Sequence, residues 1–222
     1  MEIEIKGVII PNDDKPVYDF LGRDSTCPND VLKAIKNSPD NQVNVNISSG
    51  GGNVFSGTEI YTALKNCGKQ VNINVNSIAA SAASIIAMAG KSNMSPVAMI
   101  MVHNVSSSVD GDYHDMDKAS ETLQQVGKAI AAAYVEKTGM SEKDVLDMMD
   151  EETWLTAKQA KDLGLVDNIM FENQQEPFVN SVINMIPESV IEKTKKQLAN
   201  QRAEQPADFL RTKINLLKVK VI

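Results

Sequence analysis

The sequence predicts an α/β fold, because segments with the two-residue alternation of strands take turns along the chain with segments of helical spacing. Residues 2–10, 43–47 and 71–75 alternate apolar and polar side chains. Residues 97–102 form a continuous apolar run, which is typical of a fully buried strand. This recurrence indicates crossover connections, with the functional groups at the ends of the strands.

Turn and capping signals bound the helices between these strands. Helices are predicted over about residues 28–37 and 55–65, and capping boxes at residues 141–144 and 156–159 begin two short ones. The second helix follows a glycine turn at residues 50–52. Such a turn either reverses the chain or exposes backbone amides to an anion, because glycine permits close approach of the backbone.

Composition excludes several classes of protein. The chain has 222 residues, 42% of them hydrophobic, which is enough for one substantial core. Its two cysteines lack paired spacing, so we expect neither a disulfide framework nor a zinc site, and no cofactor. A net charge of -7 argues against a nucleic acid partner. The N-terminus lacks a signal-peptide pattern, and no apolar run is long enough for a membrane span, so a cytoplasmic protein is expected.

The composition changes after residue 167, where the acidic body gives way to a tail with more basic than acidic residues. We therefore expect a catalytic domain over residues 1–172 and a C-terminal extension over residues 173–222, partly helical or disordered. Within the extension, a helix is predicted over residues 187–200, between linkers at residues 174–177 and 201–206.

The chain is organised around residues 75–90, where a strand end gives way to a helix made almost entirely of small residues. Ser81 lies at this junction. A serine here has its hydroxyl near main-chain amides at a helix N-terminus, which suits a nucleophile. The alternative is a tightly packed buried helix whose serines bond back to the preceding turn.

A nucleophilic serine needs a base, and the chain has only two histidines. His103 ends the apolar strand at residues 97–102, whereas His114 stands among aspartates at an acidic helix start. His103 is therefore the better candidate. A histidine at a strand end is otherwise a satisfied core residue, so the sequence alone leaves that alternative open.

Four segments together resemble the proteolytic subunit of the Clp protease, a serine peptidase family, over roughly residues 3–170. Residues 47–52 (I-S-S-G-G-G) resemble its I-N-S-P-G-G, residues 78–83 (I-A-A-S-A-A) its Q-A-A-S-M-G, and residues 100–104 (I-M-V-H-N) its strand ending in M-I-H-Q. Residues 153–157 (T-W-L-T-A), followed by G-L-V-D at residues 164–167, resemble its R-F-L-S-A and G-L-V-D.

The resemblance implies a crotonase-like ββα spiral fold with a long handle helix. By position, it also implies that Ser81 is the nucleophile, that His103 is the general base, and that the amides of Gly52 and Ala82 form the oxyanion hole. The family's third triad member is an aspartate, and the corresponding residue here is Glu152. A glutamate reaches one methylene further, so the neighbouring Asp150 and Glu151 remain alternatives.

Two further features resemble the Clp-related head-maturation proteases of bacteriophages and prophages. One is the amino-acid sequence of residues 79–90 and 152–157, and the other is the C-terminal extension. Met1 begins almost directly at the first strand, so we expect the pore segment of the housekeeping subunit to be missing. The resemblance implies an ATP-independent endopeptidase that processes scaffold or capsid proteins. The alternatives are a housekeeping-type subunit working with an ATP-dependent unfoldase, a crotonase-like acyl-thioester enzyme, and an inactive assembly module of the same fold.

A long amphipathic helix is predicted over about residues 113–137, ending at Gly139. Its apolar stripe is longer than the helix would need to pack against one short neighbouring element of the same domain. In the resembling family this helix joins two seven-membered rings. We therefore expect a homo-oligomer, a ring or stacked rings, without assuming the ring size, because Gly127 interrupts the helix and the segment between Ser81 and His103 is short.

Overall fold

The computed structural model describes residues 1–172 and 188–203, and the chain divides into two units, Met1–Gln174 and Gln175–Ile222. The described strands are β1 (Glu2–Ile9), β2 (Ser25–Thr26), β3 (Gln42–Gly52), β4 (Gln70–Ala80), β5 (Lys91–Met94), β6 (Met99–Val102), β7 (Thr153–Thr156) and β8 (Asn168–Ile169). The described α-helices are α1 (Lys15–Phe20), α2 (Pro28–Asn37), α3 (Val54–Asn66), α4 (Ala82–Ala87), α5 (Tyr113–Thr138), α6 (Glu142–Asp150), α7 (Ala157–Asp162) and α8 (Glu188–Ala203).

The first unit is built on a parallel sheet with the strand order β2-β1-β3-β4-β5-β8. β6 departs from this path, because it pairs in parallel with the end of β4 and antiparallel with β7. The inward side chains of the central strands, such as Val45, Ile47 and Ile73, are fully buried in the core. The α/β fold expected from the sequence is therefore confirmed.

The opposite face of the sheet carries a ladder of amide side chains. Asn74 Nδ2 donates to Asn46 Oδ1 at 3.0 Å, and Asn46 Nδ2 donates to Glu4 Oε1 at 2.7 Å. A second row runs from Asn72 to Asn44 at 3.0 Å and on to Glu2 at 2.7 Å. Each amide joins neighbouring strands in one register, so a slip by one residue would break both rows and bury asparagines in the core.

Four sequence predictions differ from the structure in the first unit. The turn predicted at residues 50–52 is the last part of β3. The strand predicted from residue 97 begins at Met99, and Val97 is 86% exposed because it stands in the turn before the strand. The helix after Ser81 is only six residues long, since the strand before it continues to Ala80. Gly127 does not interrupt α5, which is continuous around this buried glycine.

In the second unit, α8 corresponds to the helix predicted over residues 187–200. It extends to Ala203, so the linker expected from residue 201 does not begin there. The linker expected at residues 174–177 lies outside the described residues. Within residues 1–172 and 188–203, no helix is long and apolar enough to cross a membrane.

The two halves of α5 differ in burial. Gly127, Ile130, Ala131, Ala133 and Tyr134 are buried, and all of them lie in its C-terminal half. The N-terminal half has no buried residue, and it leaves Tyr113 and Met116 exposed. The helix is thus anchored at one end and projects beside the site described below.

Candidate active site

Ser81 lies between β4 and α4 with a backbone conformation that serine rarely adopts. Its φ is 56° and its ψ is -128°. Such a conformation costs about 1–3 kcal/mol and persists only where the surroundings impose it. Here glycines admit a close approach: a Cβ added to Gly51 would lie 2.7 Å from Ser81 Cβ, and one added to Gly57 would lie 2.9 Å from Ala82 Cβ.

His103 lies next to Ser81 because parallel pairing brings two strand ends together. Ala80 of β4 pairs with Met101 of β6, and the backbone N–H of Ser81 donates to Met101 O at 3.0 Å. Two residues later, His103 Nε2 is 2.8 Å from Ser81 Oγ. This distance allows the imidazole to accept the proton of the serine hydroxyl.

The backbone of Glu152, the acidic residue expected to contact His103, lies where a triad member should, but its carboxylate is directed towards Trp154. β6 and β7 pair antiparallel with Val102 opposite Thr153, so one further step in this register sets Glu152 opposite His103. Glu152 Oε1 instead accepts a 3.4 Å hydrogen bond from Trp154 Nε1. Among the described residues, no carboxylate is hydrogen bonded to His103.

The two alternatives to Glu152 are placed differently. Asp150, the last residue of α6, accepts a 2.6 Å hydrogen bond from Asn104 Nδ2, so this carboxylate already has a partner. Glu151 is the C-terminal cap of α6 and is exposed. Glu152 has a φ of 49°, a further unusual backbone conformation next to the site.

Gly52 and Ala82, the expected oxyanion-hole residues, line the same cavity as Ser81 and His103. Gly52 can only be glycine there, since its φ is 147° and an added Cβ would lie 2.2 Å from Ile9 O. Ala82 follows Ser81 directly. The structure therefore brings together all the site residues expected from the sequence except the carboxylate of Glu152.

The cavity beside Ser81 has a volume of about 700 Å³ and a mainly apolar wall. Ile85 of α4 contributes to this wall, and so do Leu123, Val126 and Ile130 of α5. A cavity of this size holds one or two amino-acid side chains next to the serine. His114 does not line it and instead stands exposed at the start of α5, against the ring of Tyr113.

Two polar contacts at this site were not predicted from the sequence. One joins Asn104 to Asp150, and the other joins Ser84 to Tyr134, whose hydroxyl oxygens are 2.7 Å apart. Ser84 Oγ also donates to Ser81 O at 2.6 Å, which is the back-bonding expected of a serine in a buried helix. The spacing of Ser81 and Ser84 by three residues was a usable signal for that bond, but nothing in the sequence indicated Tyr134.

The fold and this geometry match one protein family. The family model described as Clp protease matches residues 26–173, which is more than half of the chain. The chain belongs to the Clp protease family. This family consists of serine peptidases, in agreement with the Ser81–His103 pair.

Curated relatives support the same assignment to the Clp protease family. ATP-dependent Clp protease proteolytic subunit 1 of Chlamydia abortus is 32% identical over 56% of this chain and 68% of its own length. The protein of the same name from Streptomyces avermitilis is 33% identical over 58% of this chain and 60% of its own length. The match thus spans about two thirds of these relatives.

A solved structure, a point mutant of ClpP1 from Listeria monocytogenes, shows the Clp protease fold. It superposes with a TM-score of 0.62, covering 76% of this chain and 90% of the other, at 22% sequence identity. The expected crotonase-like fold of the Clp proteolytic subunit is therefore confirmed. In the described part of the chain, no group of three or more His, Cys, Asp or Glu residues could hold a metal ion.

Proposed function

We propose that this chain is a serine endopeptidase in which Ser81 is the nucleophile and His103 the general base. The observation that carries the proposal is the 2.8 Å contact between Ser81 Oγ and His103 Nε2. It is made by a serine in a strained conformation at the wall of a cavity that also contains Gly52 and Ala82. A serine in a strained conformation that lines a cavity next to a base is characteristic of acyl transfer.

The reaction follows from this arrangement. Ser81 Oγ attacks the peptide carbonyl carbon while His103 Nε2 takes its proton, and the carbonyl oxygen becomes an oxyanion near the amides of Gly52 and Ala82. His103 then gives the proton to the leaving amine as the C–N bond breaks. Water hydrolyses the resulting acyl-enzyme with His103 again acting as base, which restores Ser81.

Glu152 is proposed to orient His103 and to stabilise its charged form. The antiparallel register supports this role, because one further step sets Glu152 opposite His103. Its carboxylate must leave Trp154 Nε1 to do so. That hydrogen bond is long, at 3.4 Å, and both side chains are exposed, so little free energy opposes the rotation.

The biological role proposed is ATP-independent processing of phage scaffold or capsid proteins by a cytoplasmic homo-oligomer. The motif wording around Ser81 and Glu152 and the C-terminal extension support this role. A second candidate is a proteolytic subunit that works under an ATP-driven unfoldase. It is favoured by the names of the relatives from Chlamydia abortus and Streptomyces avermitilis, both ATP-dependent Clp subunits.

One experiment separates these candidates. The purified full-length chain is incubated, without ATP, with the scaffold and capsid proteins encoded beside its gene, and cut sites are mapped by mass spectrometry. Ser81→Ala and His103→Ala should abolish the cuts, while the matched controls Ser77→Ala and His114→Ala should retain them. Cleavage that appears only with an unfoldase and ATP would support the second candidate. A protein that never cleaves and never reacts with a fluorophosphonate would instead be an inactive assembly module.

A further inference from the structure

The carbonyl of Ser81 is held by more hydrogen bonds than one turn of helix requires. Ser81 O accepts from the backbone N–H of Ser84 at 2.9 Å and from Ser84 Oγ at 2.6 Å. Ser84 is fully buried, with no exposed surface. Both bonds act on the residue whose φ of 56° is the strained point of the site.

The third member of this chain of bonds is Tyr134 of α5, whose hydroxyl oxygen is 2.7 Å from Ser84 Oγ. A serine hydroxyl has one hydrogen, and a carbonyl can only accept. Because Ser84 donates its only hydroxyl hydrogen to Ser81 O, Tyr134 must be the donor to Ser84. Burial raises the pKa of Tyr134, so its hydroxyl keeps the proton that this donation needs.

The bonds to Ser81 O also fix the direction of the Ala82 N–H. The two groups belong to one peptide unit, which is planar and trans. In such a unit the C=O and the N–H point in opposite directions. A carbonyl fixed towards Ser84 therefore turns the Ala82 N–H away from Ser84, and Ala82 lines the cavity beside His103.

We propose that Ser84 and Tyr134 are positioning residues that set the oxyanion-hole amide of Ala82 through the carbonyl of Ser81. This inference rests on the proposed function, since it assigns a role in the same reaction. Ser84 does not line the cavity; Tyr134 does, but it is only 3% exposed and its hydroxyl is bonded to Ser84. Tyr134 donates to Ser84, Ser84 holds the carbonyl, and the rigid peptide unit aims the amide. Donation along the chain also polarises the amide, because hydrogen bonds in series strengthen one another.

The variants Tyr134→Phe and Ser84→Ala test this arrangement, because both keep the buried shape. Losing a whole oxyanion donor costs about 10²–10³ in kcat. For a misaimed donor we expect smaller losses in kcat, about 30-fold for Ser84→Ala and about fivefold for Tyr134→Phe, with KM unchanged. Since Tyr134 acts through Ser84, the double variant should be no slower than Ser84→Ala alone.

The matched control is Tyr61→Phe. Like Tyr134, Tyr61 joins α5 to another helix through its hydroxyl: it lies in α3 and donates to Glu136 of α5 at 3.0 Å. Unlike Tyr134, it does not line the cavity of Ser81. Its removal should leave kcat unchanged. All rates are measured with a fluorogenic peptide that has leucine before the scissile bond, because the wall of the cavity beside Ser81 is mainly apolar. They are expressed per active site titrated with a fluorophosphonate, so that misfolded molecules are not counted.

Inhibitor binding distinguishes positioning from general loosening. A peptide aldehyde forms a hemiacetal whose oxygen occupies the oxyanion position, whereas the matching peptide alcohol does not. We expect the aldehyde Ki to rise in parallel with the loss of kcat, and the alcohol Ki to stay constant. Wild-type kcat per titrated site in both variants, additive losses in the double variant, or equal weakening of both inhibitors would overturn the inference. A wild-type protein that neither cleaves nor labels would overturn the proposed function itself, and this inference with it.

Discussion

Replacing Gly52 by alanine should damage both the fold and the catalysis, and the size of the effect follows from the structure. The added Cβ would lie 2.2 Å from Ile9 O, against 3.4 Å or more for an ordinary contact. One backbone must therefore retreat by about 1 Å. The strained φ of 147° adds about 1–3 kcal/mol, and losing the 2.8 Å bond from Asn53 N to Ile9 O adds about 1 kcal/mol.

For a domain of this size, losing this much of the free energy of unfolding lowers the Tm by about 5–15 °C. The amide of Gly52 is proposed to be an oxyanion donor, and a displacement of about 1 Å costs about 10²-fold in rate, so kcat should fall by a similar factor at temperatures where the variant is still folded. The matched control is Gly50→Ala, since nothing lies within 4 Å of a Cβ added there. Thermal denaturation and peptide hydrolysis measure the two effects. Equal Tm and equal kcat in Gly52→Ala and Gly50→Ala would show that the close contact of Gly52 with Ile9 has neither effect.

Three further predictions concern other parts of the chain. Glu152→Gln keeps the side-chain shape but loses the charge, so kcat/KM should fall by less than in His103→Ala; a wild-type rate would move the role to one of the two preceding acidic residues. Burial raises the pKa of Asp167, but the hydrogen bonds from Lys137 and Ser92 and the positive charge of Lys137 lower it by more. The pKa of Asp167 is therefore below the usual 3.8. The carboxylate thus stabilises the fold above about pH 4, so Asp167→Asn should be less stable than wild type at pH 7, and urea denaturation should show the difference shrinking as the pH falls below 4. Met116 is exposed on the half of α5 that has no buried residue, where the proposed homo-oligomer would make its contact. Met116→Glu should dissociate that homo-oligomer, because burying an unpaired carboxylate costs several kcal/mol. Unchanged sedimentation relative to Met116→Leu would place the subunit contact elsewhere.

The core strands were predictable because burial on one face dictates their sequence. Val43, Val45 and Ile47 alternate with polar residues, and the structure buries all three completely. The same alternation places Asn44 and Asn46 on the opposite face. Their hydrogen-bonded ladder was not predicted, because its partners come from other strands, and strand order is not written in any local pattern.

The site shows the same division between local and distant information. The junction at Ser81 and the strand end at His103 are local features, and their sequence positions were sufficient to nominate them. The contact of Ser84 with Tyr134 joins residues 50 positions apart and depends on how α5 crosses α4. Likewise, Glu152 could be nominated by position, but the direction of its carboxylate depends on its competing bond to Trp154.

Mass mapping of the chain after reaction with a fluorophosphonate tests most directly whether Ser81 is the nucleophile. This reagent bonds covalently to a serine only where a base and an oxyanion hole activate it. We expect one adduct per chain, located on Ser81, absent from Ser81→Ala and formed much more slowly in His103→Ala. An adduct on a different serine, or peptide cleavage by a preparation of Ser81→Ala at the wild-type rate, would contradict this assignment.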